Sequence, residues 1–147
     1  MPASVLVIAD RPDFAALIGR CLGGIGVRAL VAHDVRHAAH VLQREKPAAV
    51  VLDLALPTDY DAVVQWLRRD PARAGMMIVR VSAAARNGGV PRGEVRADVL
   101  VPKPFTPRQM ADAVRTALAR NAARQRFAPL ASVARPAPAA DVSTALR

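Results

Sequence analysis

The sequence predicts a doubly wound α/β domain, a parallel five-stranded sheet with helices on both faces. Two observations carry that expectation. Short runs of branched apolar residues, Val5 to Ala9, Val27 to Ala32, Ala49 to Leu52, Met77 to Val81 and Val99 to Val101, read as strands buried on both faces. Segments with helical spacing of apolar residues lie between them, and such alternation builds parallel sheets through crossover helices. With 147 residues the chain has room for one domain, and roughly two-thirds of its unfolded surface can be buried at that size.

The first helix is expected from about Pro12, where Phe14, Leu17, Ile18, Cys21 and Leu22 recur on one face. Gly23-Gly24-Ile25-Gly26 follows a helix rather than a strand, so it reads as a cap and turn and not as a dinucleotide loop. Asp34 caps a second helix that closes at Pro47, and a third is expected from about Asp61 to Arg69. A fourth helix, between the fourth and fifth strands, is expected to be short and irregular because Asn87, Gly88, Gly89, Pro91 and Gly93 interrupt it. The fifth has the strongest start signal: Thr106-Pro107-Arg108-Gln109 spells a capping box, and Met110, Val114 and Leu118 continue its buried face. Beyond Phe127 the composition turns to Ala, Pro and Arg without periodicity, so residues 1–127 are expected to form the domain and 128–147 a disordered tail.

Composition narrows the function classes. The net charge of +9 is spread thinly, so a solvated surface is the expectation, and nucleic-acid binding is supported by charge alone. A single cysteine, Cys21, cannot form an internal disulfide and reads as a small core residue in a reducing compartment. The first apolar run lacks a basic lead and stops at Asp10, and no run reaches the roughly 18 apolar residues of a membrane span. A soluble cytoplasmic protein is expected.

In an open parallel sheet the functional crevice lies at the carboxyl ends of the strands. Strand one ends in Ala9-Asp10, strand three in Leu52-Asp53, strand four in Val81-Ser82 and strand five in Pro102-Lys103-Pro104-Phe105. Two acids, a hydroxyl and one of only two lysines in the chain are thereby expected to converge. Taken singly, the acid reads as a helix cap, the serine as a turn former and the lysine as a solvated cation. Their coincidence at four ends of one sheet is what those readings leave unexplained.

These residues resemble the receiver domain of two-component response regulators over about residues 4 to 120. Val50 to Pro57 is similar to that family's phosphoacceptor strand and loop, and Lys103-Pro104-Phe105 before a capped helix is similar to its closing motif. The resemblance implies a flavodoxin-like sheet of order 2-1-3-4-5. It further implies Asp53 as phosphorylated nucleophile, with Lys103 and Ser82 contacting the phosphoryl oxygens. Mg²⁺ would be held by Asp10, Asp53 and Ala55, and a histidine kinase or phosphotransfer protein would be the donor. Output by protein contact is expected at the fourth helix, fifth strand and fifth helix, with homodimerisation as a further route. The chain would then be a stand-alone switch, not an enzyme beyond its own phosphorylation and dephosphorylation.

Three departures qualify that picture. The family usually shows two adjacent acids after strand one, whereas here Ala9-Asp10 is followed by Arg11; weaker Mg²⁺ binding is expected, with Arg11 as a candidate phosphoryl contact. Leu100 stands where the family commonly has an aromatic that moves with phosphorylation. Ala55 and Ala84 occupy positions resembling its gatekeepers of attacking water, and neither can position water. A degenerate receiver, acting as an interaction module without phosphorylation, is therefore the alternative. His33, His37 and His40 are not expected to bind metal, and Trp66 is expected to be partly buried packing.

Overall fold

Strands carrying apolar residues at every position need cover on both faces, and the chain supplies it in sequence. The computed structural model describes residues 3–54, 57–73, 75–82 and 97–134, with only the backbone described for 57–59 and 127–134. Its elements are β1 (Ser4–Ala9), α1 (Pro12–Gly23), β2 (Arg28–Ala32), α2 (Val35–Arg44), β3 (Ala49–Asp53), α3 (Pro57–Arg69), β4 (Met77–Ser82), β5 (Val99–Pro102) and α4 (Pro107–Ala134). All pairings are parallel, in the order β2-β1-β3-β4-β5. The doubly wound sheet expected from the sequence is the sheet observed.

Period-two alternation sends successive residues to opposite cores. Val5, Val7, Val51, Val79 and Val81 pack with Ile18 and Leu22 of α1 and Met110 and Val114 of α4. Leu6, Ile8, Val50, Leu52 and Ile78 pack with Ala38 of α2 and Val63, Val64 and Leu67 of α3. Every residue of β3 and β4 is buried, which is why both runs carry so little polarity. Cys21 is a buried free thiol in the first core.

Local signals placed most helix ends. The capping box is reciprocal: Gln109 N–H donates to Thr106 Oγ1 at 3.0 Å, and Thr106 N–H donates to Gln109 Oε1 at 2.8 Å. Asp34 caps α2 by accepting from His37 N–H at 2.8 Å. Gly26 has φ +75, a left-handed conformation suited to glycine, as α1 turns into β2.

Four expectations need revision. α3 begins at Pro57, not Asp61, because proline at the first helical position is pre-organised for helix although the apolar periodicity starts later. The cap of α1 falls on Arg11, whose side chain makes no cap bond, so Asp10 is not the cap. Phe14, placed on the core stripe, is only partly buried. α4 continues past Phe127 to Ala134, into the segment that composition assigned to the tail. The irregular fourth helix at 83–96, with Ala84, and the remaining tail from 135 lie outside the described residues, as does Ala55. Among the described residues no helix is long and apolar enough to cross a membrane.

Two features hold β5 in place. It is the edge strand, so Pro102 opposite Ser82 lacks a donor where no outer neighbour needs one. Asp98, just before it, accepts from Ile78 N–H at 2.8 Å and from Arg68 Nη2 at 3.0 Å, while its own N–H donates to Ile78 O at 2.9 Å. Arg120 of α4 donates to the Asp98 carbonyl at 2.6 Å. This clasp sets the register that carries Lys103 to the sheet's carboxyl edge.

The second core contains a buried cation. Arg80, 6% exposed, lies with Cζ 4.0 Å from the ring centroid of Tyr60, itself 2% exposed. The Tyr60 hydroxyl is buried without a hydrogen-bond partner. Burial above all pushes its pKa up to about 12, with Asp61 and Asp98 adding to the rise and Arg80 and Arg68 opposing it. A folded-state pKa above the ordinary 10.0 means the folded protein keeps a proton that the unfolded chain releases. Stability contributed by this group is thus full below pH 10 and is lost as pH climbs toward 12. Tyr60→Phe should match or exceed wild-type stability at neutral pH by up to about 1 kcal/mol, since it removes an unsatisfied buried hydroxyl. Denaturant titration across pH should show the alkaline decline shallower in the variant; a clear loss at neutral pH would contradict the unpartnered hydroxyl.

Candidate functional site

Three backbone registers build the site. Ala9 pairs with Asp53, and Asp10 N–H donates to Asp53 O at 3.2 Å, prolonging the β1–β3 ladder one residue past the strand end. Ser82 pairs with Pro102, and Lys103 N–H donates to Ser82 O at 3.2 Å, prolonging the β4–β5 ladder in the same way. Asp10, Asp53, Ser82 and Lys103 consequently all stand at one edge of the sheet. The Lys103–Pro104 peptide is cis.

Lys103 and Asp53 make direct contact. Lys103 Nζ lies 2.7 Å from Asp53 Oδ1, with the Asp53 side chain 4% exposed and that of Lys103 30%. A pair this close, with one member buried, is charge-assisted and strong. Asp10 is exposed and lines the same small cleft, of about 40 Å³, together with Arg11, Phe14, Asp53 and Lys103. Ser82 is buried one strand away and does not line that cleft.

The other carboxylate oxygen gives the site its chemistry. Asp53 Oδ2 is buried and, among the described residues, has no hydrogen-bond partner. A carboxylate oxygen so placed carries a desolvation penalty of about 1–3 kcal/mol or more, and such an orphan calls for an explanation such as a bound ion or a catalytic role. The residues present fit a Mg²⁺ ion. Mg²⁺ keeps several waters and is bound by one or two carboxylates, and Asp53 Oδ2 with Asp10 supply those. Among the described residues no three His, Cys, Asp or Glu side chains gather as a ready metal cluster, in keeping with alanine rather than acid at position 9.

Sequence reasoning placed Phe14 on the core stripe of the first helix and not at the site. Lys103 Nζ stands 4.6 Å from its ring centroid and Arg11 Cζ 4.9 Å. Its place in the first turn of a helix that starts two residues after Asp10 was the available signal. Arg11 also meets Asp13 at 3.1 Å, a pair about two-thirds exposed on both sides and hence worth little. Leu100 is partly buried on edge strand β5. The rings of His33 and His37 lie 6.0 Å apart on the surface, without a metal-holding cluster. Trp66 is partly buried, with Arg73 Cζ 5.1 Å from its ring.

No protein-family model matches the chain. Protein Rrf1 of Nitratidesulfovibrio vulgaris is 32% identical over 108 residues, covering 73% of this chain and 76% of that protein. The DNA-binding response regulator MtrA of Mycolicibacterium smegmatis is 34% identical over 123 residues, covering 82% of this chain and 53% of MtrA. The chain spans about half the length of the first curated relatives it matches. Among solved structures, the receiver domain of the sensor histidine kinase PA1611 of Pseudomonas aeruginosa superposes with TM-score 0.69 at 20% identity, covering 81% of this chain and 99% of that domain. That domain holds a magnesium ion in its active-site cleft.

The ion pair has a measurable consequence. Lys103→Ala strands a buried carboxylate and should cost about 2–4 kcal/mol, below the range for a fully buried pair because Lys103 keeps some solvent. Asp53→Asn combined with Lys103→Ala should recover part of that loss. A double-mutant cycle by chemical denaturation gives the coupling, and independent, additive losses would contradict a direct pair.

Proposed function

The chain belongs to the response-regulator receiver family of two-component signalling, and we propose that it works as a phosphoacceptor switch with Asp53 as the phosphorylated residue. Receivers are signalling modules rather than conventional enzymes. The observation that carries the reading is the buried, unpartnered Asp53 Oδ2 beside an ion pair that holds the other oxygen.

An ionised carboxylate needs no general base to act as a nucleophile. A carboxylate oxygen of Asp53 attacks the phosphorus of a phosphohistidine or a small phosphodonor. The new O–P bond forms as the bond to the leaving group breaks, and the leaving group departs with the electron pair. Lys103 is placed to follow the charge, exchanging part of its contact with Asp53 Oδ1 for a phosphoryl oxygen. Ser82, at the end of the adjacent strand, supplies a hydroxyl to another oxygen after transfer. Asp10 and Asp53, with Ala55, would hold a Mg²⁺ ion, whose positive charge would offset the repulsion between the carboxylate and the incoming phosphoryl group.

A histidine kinase or phosphotransfer protein is the proposed donor in the cytoplasm. Output is proposed to run through contact of another protein, or a second copy, with the surface of β5, α4 and the segment between β4 and β5. A shallow groove along β5 and α4, lined by Leu100, Pro102, Gln109 and Thr116 among others, supports that choice. A stand-alone role is part of the proposal, as is the absence of a direct nucleic-acid function. One observation favours a second reading, an interaction module that is never phosphorylated: no three acidic or histidine side chains gather near the cleft among the described residues.

Intact-mass measurement separates the two. With acetyl phosphate and Mg²⁺ the protein should gain one hydroxylamine-labile phosphoryl group, and Asp53→Asn should gain none. No gain from acetyl phosphate or from histidine kinases would overturn the phosphoacceptor reading and favour the constitutive module.

A further inference from the structure

The cleft carries an unusual balance of charge for a site that must receive an anion. Among the described residues its lining holds two carboxylates, Asp10 and Asp53, and two cations, Arg11 and Lys103. Both cations rest on one ring: Lys103 Nζ is 4.6 Å and Arg11 Cζ 4.9 Å from the Phe14 centroid. Sharing that ring, they stand no more than about 10 Å apart, within one Debye length at about 0.1 M salt. The aromatic face attracts each cation and sets its position without neutralising it. Lys103 is engaged with Asp53 inside the cleft, while Arg11 meets Asp13 in a solvent-exposed pair that it can leave at small cost.

Resting on the phosphoacceptor reading above, we infer that Arg11, held on Phe14, supplies phosphoryl-binding charge that a metal ion would otherwise provide, so that Asp53 accepts phosphoryl with little dependence on Mg²⁺. The planar fork of a guanidinium donates to two oxygens of a phosphoryl group at once, which a solvated lysine head does not match. Phe14 is a positioning residue: its ring holds the two cations that would meet the phosphoryl group. Arg11 lines the same cleft as the carboxylates that would bind Mg²⁺, and like charge there would weaken metal binding. Weak metal binding and metal-independent transfer are thus two consequences of one residue. With acetyl phosphate as donor, the O–P bond to Asp53 forms, the P–O bond to acetate breaks, and acetate leaves with the electron pair.

The test compares phosphorylation rates by intact mass, with acetyl phosphate, in Mg²⁺ and in EDTA. The wild-type chain should label at rates that differ by no more than about threefold between the two conditions, while Arg11→Ala should slow by about tenfold or more in EDTA alone. Arg11→Lys should recover part of the EDTA rate, and Phe14→Leu should lower it without abolishing labelling in Mg²⁺. A second readout needs no labelling: calorimetric titration with MgCl₂ should show Arg11→Asp binding Mg²⁺ about tenfold or more tighter than wild type. Wild-type labelling that strictly requires Mg²⁺, or an Arg11→Ala chain with an unchanged ratio of the two rates, overturns this inference and leaves the phosphoacceptor reading standing. Absence of labelling in every condition sinks that reading and this inference together.

Discussion

A single contact, Lys103 Nζ on Asp53 Oδ1 at 2.7 Å, joins the centre of the sheet to its edge. It spans 50 residues of chain and depends on everything that fixes the two strand ends. β3 is buried on both faces between β1 and β4, so Asp53 has almost no freedom. β5 is an edge strand of four residues and would be loose without help. The Asp98 clasp, tying its entry to β4, α3 and α4, supplies that help. A buried carboxylate close to its counter-ion is costly to assemble and more costly to break, so the rigidity of both strand ends is a condition of the site.

The arrangement stores an unmet need. One carboxylate oxygen is satisfied by the lysine and the other by nothing, inside a cleft that opens onto solvent through Asp10 and Arg11. The proposed phosphoacceptor role of Asp53 draws on that unsatisfied oxygen. Arg11 and Phe14, beside the cleft, are the residues through which we infer a preference for an oxyanion over a metal ion.

The sheet was legible in the sequence because it is buried on both sides. Runs such as Val50 to Leu52 have no alternative to a central strand in a chain of this length, and the strand ends then named Asp10, Asp53, Ser82 and Lys103 without further information. What escaped notice depends on pairs that no local pattern encodes. Asp98 and Arg68 are 30 residues apart and read separately as surface charges. Arg80 interrupts an apolar run and makes sense only beside the Tyr60 ring of another element. Phe14 matched the helical stripe, yet the first turn of α1 points toward the strand ends, where two cations take it instead of the core. Helix starts were misjudged where backbone chemistry, a proline at Pro57, came before the apolar period.

The central claim is that Asp53 and Lys103 form one device, in which the lysine follows charge from the carboxylate to a bound phosphoryl group. A crystal structure of the chain after treatment with beryllofluoride, a mimic of the acyl phosphate, tests it most directly. The account predicts beryllofluoride on an Asp53 oxygen with Lys103 Nζ within about 3.2 Å of a fluorine. Beryllofluoride on Asp53 with the lysine turned away, or an unmodified Asp53 still clasped by Lys103 at saturating beryllofluoride, would contradict it.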